Sequence, residues 1–70
     1  MDPFYYACLD AGKLHCARED KHVSFGELST ATGITAHVLE LYEDGWLQKI
    51  TLRSLRRIAR ALGKRPEDLC

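Results

Sequence analysis

The chain has 70 residues, enough for one domain around one small core and too few for that core plus a roomy catalytic cleft. Apolar residues make up 46% and charged residues 29%, an ordinary globular balance with no run of the length that spans a membrane. Ten bases offset ten acids, which is not the balance of a simple nucleic-acid-binding domain.

Asp2-Pro3 is a good helix start, with aspartate as N-cap and proline in the first helical position. Phe4, Ala7 or Cys8, Ala11, Leu14 and Ala17 then recur at helical spacing to about Asp20, with Gly12 a weak point in the run. Phe4, Tyr5 and Tyr6 are too many aromatics for a solvated tail, so they are expected to pack on the core, with a dimer contact as the alternative. Val23 stands just before Ser24, placed for a hydrophobic staple.

Ser24 and Glu27 have the spacing of a capping box, in which serine takes one orphan amide and glutamate reaches back to another. Leu28 and Ser29 are expected to face inward. Gly33 sits where the chain must turn sharply, a place where a positive φ costs glycine nothing. Ile34 follows as an anchor. Thr35 is a second N-cap, opening a helix whose Val38 or Leu39 and Tyr42 face the core. A helix, a short turn with glycine and a second helix make a helix-turn-helix, whose second helix is the one that enters the DNA major groove.

Trp46 to Ile50 reads as a loop with apolar anchors, Trp46 being expected as a core lid rather than a stacking surface. Thr51 caps a helix whose Leu52, Leu55, Ile58, Ala59 and Leu62 form an inner stripe, and Gly63 stops it. Pro66 opens a short final helix through Leu69. The expected fold is all-α: five helices and no strands, in one domain over residues 1–70, with 1–9 an N-terminal extension and the helix-turn-helix at about 24–44.

Cys8, Cys16 and Cys70 are odd in number and form no Cys-x-x-Cys, so they are expected to be reduced thiols. A zinc site from His15, Cys16 and His22 is the minor alternative. Asp2, Asp10 and Glu19 in the first twenty residues speak against a signal peptide, and the expected compartment is the cytoplasm. The zero net charge hides an asymmetry. Residues 1–44 hold eight acids against three bases, whereas residues 45–70 hold seven bases against two acids.

Arg18 with VSFGELSTATGITAHVLELYEDG, then LRSLRRIARALG and PEDL, resembles the lambda-repressor-like (Cro/repressor, Xre) family of small DNA-binding domains. The resemblance covers about residues 14–70. It puts the family's first helix at about residues 10–20 and implies a structural ion pair between Arg18 and Glu43, since a guanidinium fork can meet a carboxylate with two bonds. It also implies base reading by Phe25, Ala36, His37, Val38, Glu40 and Leu41. Ala36 and Val38 suit a thymine methyl, His37 a guanine or phosphate, and Glu40 a cytosine amine. Backbone phosphates would be held at the Ser24 and Thr35 helix starts and by Lys49 and Arg53. Arg56, Arg57 and Arg60 are not expected to share a face, so only Arg53, and at most Arg57, is assigned to DNA.

The residues departing from the family's usual glutamine, arginine or serine leave two functions open. The first is a sequence-specific DNA-binding regulator, a repressor or an antitoxin-like partner, binding double-stranded DNA as a homodimer. The second is a protein-interaction module that docks a protein partner through Phe25, Ala36, Val38 and Leu41, ringed by Glu40 and Asp44. An enzyme is not expected: no nucleophile stands near His37 at a readable spacing, and no catalytic residue, cofactor, metal, membrane or small-molecule substrate is assigned.

Overall fold

Four helices begin in the same way. Asp10, Ser24, Thr35 and Thr51 lie in extended backbone, and each side chain accepts from the amide three residues on, at 2.9, 3.1, 3.3 and 3.1 Å. In the computed structural model, which describes residues 6–70, these caps open α1 (Ala11–Lys21), α2 (Phe25–Thr32), α3 (Ala36–Glu43) and α4 (Leu52–Leu62). Two short strands, β1 (Tyr6–Cys8) and β2 (Lys49–Thr51), and a 3-10 turn over Pro66–Leu69 complete the described chain.

The architecture differs from the expected five helices without strands. Among the described residues there are four α-helices, and the fifth segment is one 3-10 turn, four residues being too few to close successive i to i−4 bonds. Residues 6–8 do not extend the first helix. They pair antiparallel with β2, Tyr6 opposite Thr51, Ala7 opposite Ile50 and Cys8 opposite Lys49. The pairing continues as Leu9 N–H donates to Gln48 O at 2.8 Å, and Asp10 N–H then donates to Leu69 O at 2.8 Å. Burial here alternates, with Tyr6 and Cys8 outward and Ala7 and Leu9 inward, a period of two that wins over the helical spacing. The expected Asp2-Pro3 helix start, and Phe4 and Tyr5, lie outside the described residues.

The core is built from all the elements. Leu14 and Ala17 of α1, Leu28 of α2, Leu39 and Tyr42 of α3, Ile50 of β2, and Leu55, Ile58, Ala59 and Leu62 of α4 meet Leu9 and Leu69. Trp46 is not the expected core lid. It is 79% exposed, because Trp46 and Leu47 both donate their amides to Leu41 O and so fold the loop back on the end of α3. No described helix is long and apolar enough to cross a membrane.

Candidate nucleic-acid interface

The α2–α3 unit is pinned from inside at its turn. Thr32, 3% exposed, donates its hydroxyl to Leu28 O at 2.7 Å and accepts from Ile34 N–H at 3.2 Å. Gly33, at φ 76°, sends its amide to Ser29 O at 2.8 Å and reverses the chain. Ser24 and Glu27 complete a reciprocal capping box at the other end of α2, both bonds 3.1 Å. Sequence-local hydrogen bonds thus fix the turn between the two helices, while Leu28, Leu39 and Tyr42 pack them on the common core.

The far end of α3 is tied to α1. Arg18 Nε and Nη2 both donate to Oε1 of Glu43, at 3.2 and 3.1 Å, and Nη1 donates to Val23 O at 3.0 Å. The arginine side chain is 15% exposed and the glutamate 9%, and the guanidinium lies 4.3 Å from the centre of the Phe25 ring. His15 Nδ1 reaches the same Glu43 oxygen at 2.7 Å, and its Nε2 lies 3.7 Å from Glu19. His15 is a member that sequence reasoning missed. It lies one helical turn before Glu19 and three residues before Arg18, so only the approach of α3 to α1 brings it to Glu43.

The eight residues assigned to DNA on this unit divide by exposure. Ser24, Thr35, His37 and Glu40 are exposed, whereas Phe25, Ala36, Val38 and Leu41 are half-buried. Phe25 and Val38 pack on the core, and Phe25 also backs the Arg18 guanidinium, so both have structural work as well. Lys49 and Arg53 are exposed beyond α3, and Lys49 Nζ sits 4.7 Å from the centre of the Tyr6 ring. Tyr42 holds that strand in place, its hydroxyl donating to Lys49 O at 2.9 Å, and burial raises the phenol above its ordinary pKa.

The expectation about the α4 arginines fails. Arg53, Arg56, Arg57 and Arg60 line one surface concavity together. Their spacing of three, one and three residues is that of a single helical face, the opposite of the Leu55, Ile58, Ala59 and Leu62 stripe. Among the described residues no group of three His, Cys, Asp or Glu is placed to hold a metal ion, and His15, Cys16 and His22 do not assemble into one.

A family model for the Cro/C1-type helix-turn-helix DNA-binding domain matches residues 13–70. Among solved structures, the chain is similar to iron(II) HppE in complex with substrate, at 28% identity and a TM-score of 0.72, covering 83% of this chain and 33% of that one. Cobalt(II) HppE in complex with substrate gives the same identity, TM-score and coverage of this chain, over 32% of its own length. The chain thus spans about a third of those structures. No curated protein matches.

Proposed function

The chain belongs to the Cro/C1-type helix-turn-helix DNA-binding domains, and on that premise we propose that it is a sequence-specific DNA-binding regulator of the repressor kind. Residues 1–70 act as one domain, with residues 24–44 as the helix-turn-helix and 1–9 as an extension. The N-terminal half of α3 enters the major groove of double-stranded DNA. The observation that carries this reading is the unit itself: two capped helices pinned at Thr32 and Gly33, with α3 fixed at its far end by Arg18 and Glu43.

His37 and Glu40, exposed one turn apart, read base edges, and Ala36 with Val38 and Leu41 supplies the apolar contact that favours a thymine methyl. Amides at the Ser24 and Thr35 helix starts, with Phe25 beside them, seat the backbone, and Lys49 and Arg53 add charge. Two copies bind two half-sites about one helical turn apart, since one such module buries modest surface. Such a regulator works on DNA in the cytoplasm, without catalysis or cofactor.

Selection from a random duplex library, followed by fluorescence anisotropy, tests the reading. A selected sequence should bind in preference to mixed duplex, and His37→Ala should relax the preference at one position by about 1–3 kcal/mol. Absence of binding at low salt would reject it. A second reading, docking of a protein partner through the α3 face, is favoured by the acids Glu40 and Asp44 beside exposed Trp46 and Leu47. The likeness to a third of HppE, a chain crystallised with substrate, also supports this fold working as part of a larger protein.

A further inference from the structure

The helix-turn-helix contains no lysine or arginine. Between Ser24 and Gly45 the charged side chains are Glu27, Glu40, Glu43 and Asp44, and Glu43 is already neutralised by Arg18. A duplex presents two phosphate charges for every base pair, and affinity rests on cations that release their counterions. The unit placed against DNA therefore cannot supply that charge, and it must come from a neighbouring element.

The outer face of α4 holds it. Arg53, Arg57 and Arg60 are exposed and, among the described residues, no acid pairs with any of them. With Arg56 they line one concavity, and from Arg53 to Arg60 the stripe runs about 10 Å along the helix axis. It also borders the helix-turn-helix on a particular side. Arg57 and Arg60 share a surface hollow with Ala31, Thr32 and Gly33, the end of α2 and the turn that leads into Thr35 and α3. The cationic stripe thus borders the end of α2 and the turn that precedes Thr35, the cap of α3.

We propose that Arg57 and Arg60, continuing from Arg53, clamp the phosphodiester backbone flanking the groove that α3 enters, so that α4 supplies the affinity and α3 the sequence preference. Guanidinium forks match phosphate oxygens with two parallel bonds, and a stripe of them tracks a strand without reading its bases. The proposal rests on the DNA-binding reading and adds to it the element that carries the charge.

The test is anisotropy with selected and with mixed duplex at several salt concentrations, for wild type, the Arg57→Gln/Arg60→Gln variant and the Arg57→Lys/Arg60→Lys variant, with circular dichroism to check folding. The glutamine variant should weaken binding to both duplexes by the same factor and reduce the slope of log K against log salt by about 2, while the lysine variant keeps the slope. An unchanged slope in the folded glutamine variant, with wild type binding normally, would overturn the clamp. So would wild-type capture of a polyglutamate chain, lost in the glutamine variant with duplex binding intact, which would assign the stripe to an acidic protein surface. Failure of wild type to bind any duplex at low salt is a different result, and it would overturn the DNA reading and the clamp together.

Discussion

Two arginine–carboxylate pairs in this chain have nearly the same length and opposite settings. Arg18 and Glu43 meet at 3.1 Å with 15% and 9% of their side chains exposed, joining α1 to the end of α3 across 25 residues. Arg65 and Asp68 meet at 3.3 Å with 76% and 38% exposed, three residues apart within the C-terminal turn. The first pair lies against the Phe25 ring, has the Val23 carbonyl as a further acceptor, and fixes the position of α3. The second tightens a local turn in water. Distance alone does not rank them: burial does, because a charge left without its partner is costly only where water cannot replace it.

The sharpest way to break the comparison is Arg18→Met, which leaves the buried Glu43 with only the exposed His15 as partner and should cost about 3 kcal/mol in urea unfolding. The Arg18→Met/Glu43→Met double variant should recover part of that loss, and simple additivity would mean the pair is not coupled. Ser24→Ala sets a scale from a purely local interaction. It removes half of the capping box on α2 and should cost about 1 kcal/mol. His15→Ala removes the exposed third member at Glu43, 53% exposed, and should cost under about 1 kcal/mol by the same measurement. A loss as large as that of Arg18→Met would show that the histidine, not the arginine, anchors the carboxylate.

The smallest effect belongs to the surface pair and is best read against pH. The Arg65 amide and then its side chain, both bonded to Asp68, hold that carboxyl below its ordinary pKa, while the same side-chain bond raises Arg65. A depressed aspartate stabilises the fold above its unfolded value, and the contribution is lost as pH falls through the lower folded value. Asp68→Asn should therefore lower stability a little at neutral pH, with the difference from wild type shrinking as pH falls below about 4. A slope unaltered by the substitution would place the acid sensitivity elsewhere.

Much of the helix-turn-helix is legible residue by residue, because its determinants lie three or four positions apart. Ser24 with Glu27, Thr35 with Val38, Thr51 with Ser54 and the glycines at 33 and 63 act on neighbours along the chain, and spacing is enough to find them. The segment before α1 misleads for the same reason. Ala7, Ala11, Leu14 and Ala17 have helical spacing, yet residues 6–8 bond to a strand more than forty residues away. Pairing over that distance depends on where α3 and α4 deliver β2, and no local pattern encodes it. Trp46 misleads differently: its size suggests burial, but two amides held by Leu41 O turn its loop outward. The arginines of α4 were within reach of simple helical geometry, since offsets of three, four and seven share a face.

The sequence by itself determined the three helices capped by Ser24, Thr35 and Thr51, the αL turn at Gly33 and the apolar stripe of α4, because each follows from side chains acting within a turn or two of the backbone. Only the tertiary structure decided that β1 joins β2, that His15 and Arg18 converge on one oxygen of Glu43, and that the α4 arginines border the turn into α3. Those relations join elements far apart in the chain, and they exist only once the core residues have packed and set the helices against one another.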